Sequence, residues 1–339
     1  MNHSKHGRRT LSALVSALVI ALALPACDAS VPLDSEAPLV TLQLPTDPHR
    51  PAVAVMTMGG HTYRMAVDTG ASHSVLHLPI AQRWLAPVAA DPARRRTATG
   101  LHGEVDLQWF NADQFTVGHW ASRLPGSISA IDMGLVAKEE GVDGVLGVNQ
   151  LVELDWHWDN RKHQVLGYSH GTKAVQAIRA RLHCEQLKDV DGDPAVVVTI
   201  GNEQTTFVID TGDLNVSGGL HPQDRVALED RGAVRSSGNM ALQYDIDGSP
   251  LANLQATQIQ NISLGPTRLD GLILREINFH SRLGRAFISK FDEVLFDFES
   301  GQFCFPAVST IEADEPATWM IGNALVPPES DSGEDAGQP

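Results

Sequence analysis

Apolar residues in this 339-residue chain gather in short runs closed by glycine pairs or glycine-asparagine. Residues 51–58 (PAVAVMTM) run into Gly59-Gly60, and a second segment follows over 61–67; residues 194–200 (PAVVVTI) run into Gly201-Asn202, followed by 204–209. Both passages predict a strand, a tight turn and a returning strand. The returning segments are short and rich in β-branched and aromatic residues. Each delivers an aspartate at its C-terminal end, Asp68 and Asp210, so each aspartate opens a loop.

The loops share a pattern. Ala66-Val67-Asp68-Thr69-Gly70 is matched by Val208-Ile209-Asp210-Thr211-Gly212. A single Asp-Thr-Gly is an ordinary turn tripeptide; two in matching contexts are informative. Downstream, Asp143-Gly144-Val145-Leu146-Gly147-Val148 is answered by Ser281-Arg282-Leu283-Gly284-Arg285-Ala286. Each half then closes with a similar pair of runs, 154–159 with 166–168 and 291–297 with 303–305. This is an internal duplication, and its two units of roughly 130 residues are too long and too few for a solenoid. A two-lobed protein is expected.

The string AVDTGASHSVL, residues 66–76, resembles the active-site loop of retropepsin-like aspartic proteases, with Asp68, Thr69, Gly70, Ala71, Ser74 and Val75 fitting that pattern. Gly147 and Gly284 resemble the family's second signature, two apolar residues and a glycine that cross beneath the catalytic loop. Arg282 stands where an apolar residue is usual. The resemblance covers about residues 40–308 and implies an all-β fold: two homologous retropepsin-like (acid protease) β-barrel lobes forming a pepsin-like bilobal cleft. Within that span it implies an N-terminal lobe over 39–170, a linker over 171–183 and a C-terminal lobe over 184–308; the residues outside it read as a signal peptide over 1–26, a tether over 27–38 and an acidic, disordered tail over 309–339.

The chemistry explains the pairing independently. Two carboxylates about 3 Å apart cannot both ionise, so they share a proton and titrate as a unit. One is then a general base and the other an acid, and a water between them can attack a peptide carbonyl. Asp68 and Asp210 are the expected catalytic pair, acting without metal or cofactor. Gly70 and Gly212 allow main-chain N–H groups to approach the carboxylates. Thr69 and Thr211, by resemblance, hydrogen-bond across the lobe interface and hold the loops together.

The second loop departs from the first. Asp213 follows Gly212 where Ala71 follows Gly70, and Val216 stands where the first loop has Ser74. Pepsin-like lobes usually carry Ser or Thr directly after the glycine, and neither loop here does. An Asp213 pointing at the pair would raise the pH at which it ionises; a distorted loop would leave the site inactive. A flap is expected over the cleft, at Gly100, Leu101, His102 and Gly103 between extended flanks, with residues 236–240 as its counterpart.

The N-terminus reads as a leader: Lys5, Arg8 and Arg9, an uncharged apolar run over 10–24, then small residues. The run is too short to span a membrane. Leu24-Pro25-Ala26-Cys27 resembles a bacterial lipobox, which implies lipid on Cys27 and a place in the cell envelope, periplasmic or extracellular; simple secretion is the alternative. Cys184 and Cys304 remain, either as a disulfide, which an oxidising compartment would favour, or as two buried thiols.

The net charge of -16 argues against nucleic acid as a partner. The tail after Ser309 holds no Lys or Arg and reads as disordered, with Trp319-Met320-Ile321 as a cluster able to dock. Asp189, Asp191 and Asp193 around Gly192 lack the remaining ligands of a calcium loop and read as a polar turn. His73 and His77 have no third ligand for zinc. Trp156 and Trp158 read as packing, and Trp109-Phe110 as candidates for a substrate pocket. Ser72 and Ser74 lack a nucleophile elbow. The expectation is a monomeric aspartic endopeptidase acting on a peptide or protein and anchored to a membrane through Cys27. The alternative is a catalytically inactive, lipid-tethered module that binds peptide or protein in the same cleft.

Overall fold

The two glycine-closed passages fold as expected. In the computed structural model, which describes residues 37–89, 97–100, 103–239, 243–244, 250–251 and 255–314, Val53–Met58 pairs antiparallel with His61–Val67, from Val53 opposite Ala66 to Met58 opposite His61. Gly59 and Gly60 both take positive φ, 58° and 80°, as a type I′ turn requires. Ala54, Met56 and Met58 point inward and alternate with more exposed neighbours, the period of a strand with one face on a core. Asp193–Ile200 and Glu203–Ile209 repeat the arrangement, from Ala195 opposite Val208 to Ile200 opposite Glu203.

The described chain is mostly β, with six short helices, none long enough and apolar enough to cross a membrane. One eight-stranded sheet holds the first hairpin and one ten-stranded sheet the second. Within the first, Gly144–Leu146 is inserted between His61–Val67, to which it runs parallel, and Val75–His77, to which it runs antiparallel. Within the second, Arg282–Leu283 is inserted in the same manner between Glu203–Ile209 and Gly218–Leu220. A strand from far along the chain thus fills the gap that each aspartate loop opens. Both sheets run as open paths, and among the described residues neither closes into the barrel the sequence suggested.

A six-stranded sheet joins the two halves, in the order Val40–Gln43, Gln164–Tyr168, Asp155–Asp159, Glu293–Asp297, Gln302–Phe305, His183–Gln186. Its central seam pairs Trp156 with Phe296 and Trp158 with Val294, all buried. Fully burying a large apolar side chain contributes on the order of 2–3 kcal/mol, so this seam fastens the halves and holds Asp68 and Asp210 on one rigid base. Across it, Glu293 accepts hydrogen bonds from His157 Nε2 at 2.7 Å and from Arg181 Nε at 3.0 Å.

Cys184 and Cys304 lie opposite each other in this sheet and form a disulfide. The segment read as a linker over 171–183 contains a helix, Lys173–Arg179, whose N-cap Thr172 accepts from Val175 N–H at 3.3 Å. Its Ala174, Val175 and Ile178 pack on Tyr168, Leu295 and Cys304. The start of the acidic tail is also docked: Ile311 is buried, Asp314 accepts from Ile273 N–H at 2.6 Å, and Lys290 meets Asp314 at 2.7 Å. The leader, Cys27 and the Trp319 cluster lie outside the described residues.

Candidate active site

Asp68 and Asp210 leave the ends of equivalent strands, and their loops are supported from below in the same way. Asp68 N–H donates to the Leu146 carbonyl at 3.1 Å and Asp210 N–H to the Leu283 carbonyl at 2.9 Å. Further along each loop, Val148 N–H donates to the Ala71 carbonyl at 2.8 Å and Arg285 N–H to the Asp213 carbonyl at 2.9 Å. Glycine is needed where the strands cross. A Cβ on Gly147 would lie 2.6 Å from the Ala71 oxygen, and one on Gly284 2.7 Å from the Asp213 oxygen.

The loops face each other closely. A Cβ on Gly70 would lie 2.2 Å from Asp210 Cγ, and one on Gly212 2.2 Å from Asp68 Cγ. Each glycine therefore makes room for the opposite carboxyl group, and each also donates its N–H to its own loop's aspartate: Gly70 to Asp68 Oδ1 at 2.8 Å, Gly212 to Asp210 Oδ1 at 2.9 Å.

The threonines interlock. Thr69 N–H donates to Thr211 Oγ1 and Thr211 N–H to Thr69 Oγ1, both at 3.0 Å. The Thr69 hydroxyl donates to the Ile209 carbonyl at 2.6 Å and the Thr211 hydroxyl to the Val67 carbonyl at 3.0 Å. Both side chains are buried, so four otherwise orphaned backbone groups are satisfied by two hydroxyls.

Burial, then the charge of Asp210 and a hydrogen bond to it, push the Asp68 carboxyl well above the ordinary carboxylate range; the Gly70 N–H and the Arg282 guanidinium pull weakly the other way. The two groups are one coupled pair. Asp210 has further support: Asp213 N–H donates to its Oδ1 at 3.0 Å, and Arg282 Nη1 donates to its Oδ2. Arg282 is itself buried and stacks over the Phe279 ring with its guanidinium carbon 4.0 Å from the centroid.

Asp213 does not aim its charge at the pair without compensation. Its Oδ1 accepts from Arg275 Nη2 at 3.3 Å, and both side chains are buried. Ser74, the first-loop hydroxyl, accepts from Gly147 N–H at 2.8 Å and donates to Gln150 Oε1. That fixes Ser74 as loop support and leaves no free nucleophile there. Asp193, at the start of the second hairpin, feels both Arg282 and Asp210, and burial pushes its carboxyl up to about 7.

The expected flap is a hairpin, Thr97–Gly100 with Gly103–Asp106, Gly100 opposite Gly103; Leu101 and His102 lie outside the described residues. Residues 236–239, from the stretch read as its counterpart, belong to the strand Val234–Asn239, which pairs with Gln255–Ile259. Beyond it Gln243–Tyr244 pairs with Pro250–Leu251.

The features set aside on sequence grounds find structural partners. Asp189 Oδ1 accepts from Gly192 N–H at 2.8 Å, closing a turn, and Asp191 meets His280 at 2.8 Å. His77 Nδ1 accepts from Met133 N–H at 3.0 Å, and among the described residues no group of His, Cys, Asp and Glu could hold a metal. Phe110 is core. One contact had no sequence signal: His49 Nδ1 meets the Leu214 carbonyl at 2.7 Å, tying the N-terminal segment to the second loop.

No curated protein matches this chain. A family model described as aspartyl protease matches residues 54–150, a stretch that contains Asp68-Thr69-Gly70 and Gly147 and ends before Asp210, and this match supports an aspartic peptidase.

Proposed function

We propose that this chain is an aspartic endopeptidase with two homologous lobes, in which Asp68 and Asp210 activate a water for attack on a peptide carbonyl. The observation that carries the proposal is the mutual approach of the two carboxyl groups across glycines that leave room for them. In the reaction, water oxygen bonds to the carbonyl carbon while its proton passes to the Asp210 carboxylate. Asp68, held protonated, gives its proton to the carbonyl oxygen. The resulting diol collapses: the C–N bond breaks, the leaving nitrogen takes the proton from Asp210, and a diol hydroxyl returns one to Asp68. Acid and base are restored, and no covalent intermediate forms.

The hairpin Thr97–Gly100 with Gly103–Asp106 is the flap in this reading, excluding water from the cleft. The leader ends before Cys27, which carries the lipid that places the enzyme at the cell envelope, with peptide or protein as substrate. The second reading, a binding module without chemistry, is favoured by one contact: Arg282 Nη1 donates to Asp210 Oδ2 and so occupies an oxygen of the pair.

Cleavage of a mixed peptide library from pH 3 to pH 8 by the chain purified in detergent, beside Asp68→Asn and Asp210→Asn, decides between them. Hydrolysis abolished by either substitution supports the paired site. Hydrolysis that survives Asp210→Asn sinks it. Tight binding of a hydroxyl-containing peptide isostere with no cleavage favours the binding module.

A further inference from the structure

The strand register makes Arg282 the counterpart of Val145. Val145 lies opposite Ala66 and Arg282 opposite Val208, each two residues ahead of its aspartate and each in the strand inserted beneath the loop. The first half thus puts an aliphatic side chain where the second puts a guanidinium. That guanidinium is buried, stacked on Phe279, and bonded to Oδ2 of Asp210, while Oδ1 takes the Gly212 and Asp213 N–H groups. Gly70 N–H is the donor recorded for Asp68. One carboxylate therefore receives three donors, one of them cationic.

We infer that Arg282 is a positioning residue that fixes the proton distribution of the pair, holding Asp210 ionised as the base and leaving Asp68 as the acid. The inference rests on the reading of Asp68 and Asp210 as a working pair, and it deepens that reading by giving each member its role. A fixed cation within hydrogen-bond distance favours the charged form of a carboxyl group and lowers its pKa by about 1–3 units. Hydrogen bonds to the ionised form act in the same direction. Other charged groups also face this place: Asp68 from the first loop, Asp193 from the second hairpin with Asp191 and His280 beyond it, and Asp213 with its partner Arg275. Asp213 is matched by Arg275 and Asp191 by His280. Arg282 is left as the cation in direct contact with the pair.

The sign follows. The guanidinium on Asp210 Oδ2 favours ionisation there, and it also favours proton release from Asp68. Replacing the guanidinium by a neutral group moves both events upward. The cost of this arrangement is a weaker base, and its benefit is that the two roles are assigned before substrate arrives.

The test uses the full chain labelled with 13C at aspartate carboxyls, titrated from pH 2.5 to pH 8, with the resonances assigned through Asp68→Asn and Asp210→Asn. Arg282→Gln keeps N–H donors without charge, and Arg282→Lys keeps the charge at shorter reach. Arg282→Gln is expected to raise the protonation pH of Asp210 by about 1–3 units relative to the native chain. Arg282→Lys is expected to recover at least half of that shift. The acid limb of any peptide-cleavage profile moves up by the same amount in Arg282→Gln. An Asp210 titration within about 0.3 units of native in Arg282→Gln overturns the inference, as does a shift of equal size in Arg282→Lys. If the native chain cuts no peptide, the proposed activity fails while the NMR titration still decides the role of Arg282. Should Arg282→Gln not fold, the Lys variant and the native titration decide it: native Asp210 protonating in the ordinary carboxylate range or above is then the overturning result.

Discussion

Thr69→Val tests the interlock that holds the two aspartate loops in register. Valine is close to threonine in shape, so the perturbation removes one hydroxyl and little volume. Two backbone groups lose their partners: Thr211 N–H, now 3.0 Å from the Thr69 oxygen, and the Ile209 carbonyl, now 2.6 Å from it. Both threonines are buried, so water cannot replace the lost bonds without opening the interface. Leaving a buried donor or acceptor unsatisfied costs about 1–3 kcal/mol, giving about 2–5 kcal/mol for the pair after allowing for relaxation. At about 2 cal/mol/K per residue, 1 kcal/mol shifts the Tm of a body this size by about 2 °C, so a fall of about 4–10 °C is expected by scanning calorimetry. Thr69→Ser is the control, since it keeps the hydroxyl and loses one methyl, worth about 1 kcal/mol. Peptide cleavage should fall far more in Thr69→Val than in Thr69→Ser, because the loops lose their mutual alignment. A Tm for Thr69→Val equal to or above that of Thr69→Ser would refute the reasoning.

Three further outcomes are expected. Burial pushes the Glu293 carboxyl up, but hydrogen bonds from His157 and Arg181 outweigh it and hold the group down to about 2, below its ordinary 4.5; the stabilisation is therefore present above about pH 4.5 and is lost as pH falls toward 2. Glu293→Gln should lower stability by on the order of 2 kcal/mol at pH 6, with the gap to native closing near pH 2; a gap independent of pH, measured by urea denaturation, contradicts this. Reduction of the Cys184–Cys304 disulfide, which spans 120 residues of sequence, should cost about 2–4 kcal/mol; melting curves unchanged by a phosphine reductant would show that the bond contributes nothing. Asp213→Ala strands the buried Arg275 cation and should cost about 3–5 kcal/mol, whereas Asp213→Ala with Arg275→Ser should recover most of that loss; strictly additive effects in a double-mutant cycle rule out the pairing.

Much of this site was readable before folding because its signals are local. Apolar runs ending in Gly59-Gly60 and Gly201-Asn202 dictate hairpins, and the hairpins deliver Asp68 and Asp210 to equivalent places. Gly147 and Gly284 were readable as crossing points only through their resemblance to a family signature; the structure gives the reason, a carbonyl oxygen at 2.6–2.7 Å from where each Cβ would be. Arg282 was visible as a misfit among apolar residues, but its target was not. The bond to Asp210 spans 72 residues and depends on a parallel register that no local pattern encodes. Arg275 and Asp213 found each other in the same way, 62 residues apart. The helix Lys173–Arg179 also has a local signal, Thr172 as N-cap with Ala174, Val175 and Ile178 buried. Composition had suggested disorder from 309 onward, yet Ile311 is an apolar anchor and Asp314 an acceptor for a strand N–H, and both pull the chain onto the body as far as residue 314.

The sheets around Asp68 and Asp210 share a local strand pairing but differ in the charges they bury, and the difference bears directly on the proposed chemistry. Where the register puts Ala71, Ser129, Val145 and Val148 in the first half, it puts Asp213, Arg275, Arg282 and Arg285 in the second. All four of the second set are buried. Burying charge costs several kcal/mol per ion unless partners repay it, and Arg285 shows that cost: its Nε and Nη1 have no hydrogen-bond partner among the described residues, it lies 5.4 Å from the Trp158 ring centroid, and burial pushes its pKa down to about 10. An uncharged set, such as the first half carries, avoids that cost. What the charged set supplies is asymmetry. Burial and the neighbouring Asp210 favour the neutral form of Asp68, while Asp210 accepts from a guanidinium and two N–H groups. Two carboxyl groups of the same kind thereby meet different surroundings, and under the proposed function that difference is what assigns one as acid and the other as base.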